Sequence, residues 1–252
     1  MPTLYSFKQK DVLCSALGKY VKRASRESIK ARGRFTIALS GGSLPSQLAQ
    51  GIVEDESIEW DKWFVFFADE RAVPLNDHDS NYRLAEDALF SKVPIPRDQI
   101  FAIDQNFLND TQELADVYEK DLVRVFAAKE TVKIPAFDCM LLGVGPDGHT
   151  CSLFPNHELL RENIAWVSPI EDSPKPPPRR ITLTLTVVTH AHNIAFVAAG
   201  QSKQDILVKV LETPDEGLPA SLVNQMGGDR VTWFVDDEAS KLTVFPKKEF
   251  KL

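Results

Sequence analysis

The residue in this sequence best suited to proton transfer is His149, set directly after the break Gly143-Val144-Gly145-Pro146-Asp147-Gly148. Three glycines and a proline exclude regular structure there, and an imidazole exchanges a proton near neutral pH. Glycines also let a small molecule approach the backbone closely. Three other segments carry complementary groups. Ser40-Gly41-Gly42-Ser43 precedes Pro45, which is suited to the first turn of a helix; free N–H groups at such a turn attract an anion. Asp69-Glu70-Arg71 offers a carboxylate for orienting or accepting a proton and a guanidinium for gripping phosphate. Lys203 follows Gly200 in the first turn of an expected helix, where a cation opposes the helix dipole unless an anion sits near it. Each piece alone has a plainer reading: a tight turn with an incidental histidine, a strand-to-helix turn, an Asp–Arg pair holding a loop. Together they describe an anion site beside a proton-transfer site. Ser40 and Ser43 lack the surroundings of an activated nucleophile, and Cys151 lies too near His149 in sequence to be its partner. The chemistry indicated is acid–base work on a small phosphorylated molecule, with water as nucleophile.

These segments need elements to carry them. Apolar runs predict strands over 34–39, 63–67, 99–103, 137–142, 165–169, 181–185, 193–199 and 231–235. Helical spacing is read at 45–54, up to Phe90 with Asp79 or Ser80 as cap, and at 110–129, 202–212 and 219–225. A first helix shows a stripe of Phe7, Leu13, Leu17, Tyr20, Val21 and Ala24, with the basic residues of 19–34 on its solvated side. His190-Ala191-His192 reads as a strand-end turn rather than a metal pair. Strands alternating with helices imply an α/β fold, a mainly parallel sheet covered by helices on both faces. With no repeat and no convincing linker, one domain over 1–252 is the simplest organisation, and a monomer is the favoured state.

Composition narrows the partners. The 252 residues carry a formal charge of −7, which argues against nucleic acid. No apolar run approaches the roughly 20 residues of a membrane span, and Lys8, Gln9, Lys10 and Asp11 interrupt any signal-peptide core. Cys14, Cys139 and Cys151 lack metal-ligand spacing and read as free thiols of a reducing, cytoplasmic compartment. The proline-rich 173–180 resembles a polyproline ligand; the strand-like residues that follow favour a stiff loop fixing where Arg180 points.

In this order, Ser40-Gly41-Gly42-Ser43, Asp69-Glu70-Arg71-x-Val73-Pro74, Asp79-Ser80-Asn81, Gly143-x-Gly145-x-Asp147-Gly148-His149-Thr150-x-Ser152-Leu153-Phe154-Pro155, Arg180-Ile181-Thr182-Leu183-Thr184 and Gly200-x-x-Lys203 resemble the 6-phosphogluconolactonase family. The resemblance covers nearly the whole chain. It implies a glucosamine-6-phosphate deaminase-like fold and hydrolysis of 6-phospho-D-glucono-1,5-lactone to 6-phosphogluconate in the pentose phosphate pathway. It also implies that no metal or organic cofactor takes part. His149 would be the base that activates water, then the acid that protonates the leaving ring oxygen. Asp147 or Asp69 would support it. Substrate binding would fall to Gly41, Gly42, Ser43, Arg71, Ser80, Asn81, Gly145, Arg180 and Lys203. Cys151 departs from the family pattern, which has alanine there. The related deaminases have tyrosine in place of Arg71 and a glutamate-containing segment in place of Leu153-Phe154-Pro155. A non-catalytic phosphosugar sensor is the alternative from another class.

Overall fold

Alternation along the buried strands builds two cores, one on each face of a sheet. In β2 (Phe35–Leu39), Phe35, Ile37 and Leu39 enter one core and Ala38 the other. In β5 (Cys139–Leu142), Cys139 and Leu141 join the first, while Met140 and Leu142 join the second. Period-two side chains that are apolar on both faces require cover on both faces, so such strands occupy the middle of a parallel sheet. The structure, a computed structural model, describes residues 1–128 and 131–251.

The main sheet adds β1 (Thr3–Phe7), β3 (Trp63–Phe67), β8 (Ile194–Ala198), β9 (Val231–Asp236) and the short β10 (Lys247–Lys248). Its order is β10-β1-β9-β8-β5-β2-β3, with every pairing parallel. One core is covered by α1 (Lys10–Arg32) and α2 (Leu44–Ile52), through Leu13, Leu17, Leu44 and Leu48. The other is covered by α4 (Thr111–Phe126), α5 (Leu185–His190), α6 (Gln204–Glu212) and α7 (Pro219–Gly227). Fully buried Phe66 stacks on Phe101 with ring centroids 4.2 Å apart, and burying one such side chain contributes roughly 1.5–3 kcal/mol. No described helix is long and apolar enough to cross a membrane.

Several expectations are corrected. The first apolar stripe begins in a strand, because Thr3–Phe7 pairs with β9 before α1 starts. Residues 99–103 form no strand; a 3-10 turn at Arg97–Gln99 leads to a single bridge between Val65 and Ile100, and stacking buries the apolar side chains without a ladder. Of the helix expected over 110–129, residues 111–126 are helical and Lys129 lies outside the described residues. The stretch at His190 closes a short helix, since Val187, Val188 and Ala191 are buried at helical spacing. A second sheet was not anticipated. β4 (Asp69–Arg71), β7 (Arg180–Leu183) and β6 (Val167–Ile170) pair antiparallel in the order β4-β7-β6. Its charged strand β4 hides in the sequence because polar alternation is absent there, while its partner β7 lies more than a hundred residues further along the chain.

Candidate active site

The loop ends of β2, β3, β5 and β8 meet at the carboxyl edge of the parallel sheet, the edge where open α/β sheets bind ligands. They enclose a cleft of about 330 Å³, within the range of small-molecule sites. After β5 the chain turns back on itself, with Gly145 N–H donating to the His149 carbonyl at 2.8 Å and Gly148 N–H to the Gly145 carbonyl at 3.0 Å. Ala220 N–H, in the first turn of α7, ties the Gly148 carbonyl to the body of the protein at 3.1 Å. This turn brings His149 Nδ1 to 2.5 Å from Asp147 Oδ1. Gly145 is what makes room, because a Cβ there would overlap both the imidazole and the Asp147 carboxylate. The ring leans on Phe154 at a centroid distance of 4.9 Å. An ionised carboxylate only accepts, so the Nδ1 atom carries the hydrogen and the basic lone pair lies on Nε2.

Across the cleft, Ser40 continues β2 by donating its N–H to the Leu141 carbonyl, and Gly41, Gly42 and Ser43 line the wall at the start of α2. Asn81 backs this turn so closely that a Cβ on Gly41 would overlap its carboxamide. Arg71 donates through Nη1 to the Asp79 carbonyl at 2.5 Å, while its buried Nε has no partner among the described residues. Lys203 Nζ donates to the Val144 carbonyl at 2.7 Å, which leaves other ammonium donors for the cleft. Arg180 is 3% exposed. It donates to the carbonyls of Pro177, Lys175 and Pro176 and, through Nη1, to Ser152 Oγ, so among the described residues one Nη1 hydrogen is without a partner, at the cleft it lines. Ser152 Oγ in turn donates to Asp69 Oδ2 at 2.8 Å.

Burial is the main electrostatic force on these groups. It pushes His149 below its ordinary value, against Asp147, which pulls it up. Burial pushes the Asp147 carboxyl up, but the hydrogen bonds from His149 and Lys175 outweigh it and leave the group below its ordinary value. Lys203 is lowered by burial and then by the neighbouring Lys175, and Arg180 by burial and then by Arg71. The Cys151 thiol, at the cleft wall, is pushed far up by burial and is no thiolate at neutral pH.

Most of the residues singled out in the sequence meet here: Gly41, Gly42, Ser43, Asp69, Arg71, Gly145, His149, Arg180 and Lys203 all line the cleft. Asp147 reaches it through His149. Ser80 and Asn81, expected to touch substrate, lie behind the wall instead. Ser80 Oγ caps α3 (Asn81–Ala85) by accepting Arg83 N–H and donates to Glu70, and Asn81 Nδ2 donates to the Asp69 carbonyl. Glu70 organises this region. Its carboxylate accepts the N–H groups of Arg71, Asn81 and Tyr82, and burial pushes it up to about 7. Sequence reasoning missed Lys175, whose Nζ lies 3.2 Å from Asp147 Oδ1. Its only sequence signal is a place in the stiff loop before Arg180.

The description "Glucosamine-6-phosphate isomerases/6-phosphogluconolactonase" belongs to the family model that matches residues 8–233. A protein of Schizosaccharomyces pombe named probable 6-phosphogluconolactonase is 52% identical over 256 residues, covering 97% of this chain and all of that protein. The 6-phosphogluconolactonase from Trypanosoma cruzi superposes with a TM-score of 0.82 at 27% identity, covering 97% of each chain. A monomeric glucosamine-6-phosphate deaminase of the NagB superfamily, 20% identical, superposes with a TM-score of 0.76 over 96% of this chain and all of its own, a likeness of fold alone.

Proposed function

The chain belongs to the glucosamine-6-phosphate isomerase/6-phosphogluconolactonase family, as an enzyme that hydrolyses 6-phosphogluconolactone, and we propose that His149 does so as general base. The observation that carries the mechanism is the pairing of His149 Nδ1 with Asp147 Oδ1, which leaves Nε2 basic at the cleft. Nε2 takes a proton from water as the water oxygen bonds to the lactone carbonyl carbon. The carbonyl electron pair moves onto its oxygen and then returns, and the bond to the ring oxygen breaks. The imidazolium gives its proton to that oxygen, the new carboxylic acid loses its remaining water proton to solvent, and 6-phosphogluconate leaves with the base restored. The phosphate is held by the N–H groups of Gly41, Gly42 and Ser43 with Arg71, Lys203 and Arg180 Nη1.

Three buried free thiols support a reducing, cytoplasmic setting. The test is turnover of freshly made lactone, corrected for spontaneous hydrolysis, by the chain and by His149→Ala. Loss of the general base lowers kcat roughly 100- to 10,000-fold with the fold intact. Near-normal turnover by the variant would pass the base to another group.

A further inference from the structure

Asp147 Oδ1 is shared. His149 Nδ1 lies 2.5 Å from it and Lys175 Nζ lies 3.2 Å from the same atom. A carboxylate on Nδ1 fixes the ring and its tautomer, yet it also favours the imidazolium, which cannot accept a proton. A base that needs orientation without premature protonation gains from a second cation on the carboxylate. Lys175 is set there by its backbone. Its N–H donates to Ser173 Oγ at 3.2 Å, and its carbonyl accepts from Ser173 Oγ and from Arg180 Nη2, each at 2.9 Å. Ser173 N–H closes the loop on the Pro178 carbonyl at 3.2 Å. The loop of prolines is thus clamped by Arg180, and its one lysine reaches the Asp147 carboxylate.

We propose that Lys175 is a positioning residue of the catalytic pair: by sharing Asp147 Oδ1 with His149, it lets the carboxylate orient the imidazole while the ring stays neutral. This rests on the reading of His149 as base. The charged groups facing His149 are Asp147 and Asp69, which favour its protonation, and Lys175, which opposes it. Asp147 also faces Lys203. Among the described residues Lys175 is the cation within hydrogen-bond distance of Asp147, while the carboxylate of Asp69 is engaged by Ser152.

The experiment compares the full chain with Lys175→Met and Lys175→Arg. It measures kcat/KM against pH on 6-phosphogluconolactone and on plain gluconolactone, and follows the His149 ring protons by NMR titration. In Lys175→Met the acid limb shifts to higher pH for both lactones, and the His149 titration shifts the same way. Lys175→Arg restores both. An unmoved His149 titration overturns the proposal, and so does a loss confined to KM for the phosphorylated lactone, which would make Lys175 a phosphate ligand. The NMR readout needs no turnover, so the proposal stands or falls separately from the base assignment, which His149→Ala decides.

Discussion

Ser152 Oγ donates to Asp69 Oδ2 at 2.8 Å, and this bond separates the two carboxylates that stand near His149. Asp69 is 4% exposed, with its backbone carbonyl held by Asn81 and its carboxylate turned to Ser152; Asp147 carries the contact with the imidazole. Asp147→Asn and Asp69→Asn are therefore expected to act differently. Without the Asp147 charge the ring loses an anion that favours its protonated form, so the acid limb of kcat/KM moves to lower pH while the plateau drops. Asp69→Asn lowers the plateau through the wall of the site, with a smaller displacement of the limb. pH–rate profiles of both variants check this; equal profiles would return the two carboxylates to the same rank.

For the unaltered protein, the sign follows from burial. The folded His149 lies below the ordinary value for histidine, about 6.5. A general base works in its neutral form, so kcat/KM climbs as pH rises through a value under that figure and levels off above it. The profile must be measured with spontaneous lactone hydrolysis subtracted at each pH. A limb centred above the ordinary histidine value would mean that Asp147 outweighs burial.

How far the sequence reveals this site depends on distance along the chain. The loop from Gly143 to His149 is legible because its parts are contiguous, and so are the strands whose side chains are apolar on both faces. The second sheet is not. Arg71 pairs with Arg180 in register, and nothing local in Asp69-Glu70-Arg71 signals a strand. The family resemblance alone implies a ligand role for Ser80 and Asn81, because motif neighbours of site residues look alike in sequence whether they face the cleft or back its wall. Lys175 escaped for the opposite reason. Its role depends on an Arg180 side chain that donates to the loop's carbonyls, a contact that composition cannot reveal.

Metal removal gives an independent check. Among the described residues, Asp77, His78 and Asp79 are the one group with ligand atoms close enough to hold an ion, and they lie on the loop before α3, outside the lining of the cleft. The cleft itself offers His149 with carboxylates already engaged by Lys175 and Ser152, a poor donor set for zinc. Prolonged treatment with chelator is expected to leave kcat/KM unchanged. Activity lost to chelator and returned by zinc or magnesium would replace the water-plus-histidine mechanism.

Specificity is the most direct test of the cradle. The N–H groups of Gly41, Gly42 and Ser43 and the cations Arg71, Lys203 and Arg180 are surplus to the chemistry at the carbonyl, which one base and one water complete. They make physical sense if the substrate carries an anion remote from the reacting carbon, whose binding energy positions the lactone for attack. Arg71 lines the cleft, its buried Nε without a partner among the described residues, and Lys203 has three ammonium donors, one of them bonded to the Val144 carbonyl. A hydrogen bond to a charged group contributes roughly 1.5–3 kcal/mol, so two of them correspond to a preference of at least about a hundredfold. The 6-phosphorylated lactone should exceed plain gluconolactone by that margin in kcat/KM. Arg71→Met or Lys203→Met should shrink the ratio mainly by weakening the phosphorylated substrate, and inorganic phosphate should compete weakly with it. Similar efficiency on both lactones, unaltered in the variants, would reduce the cradle to a turn.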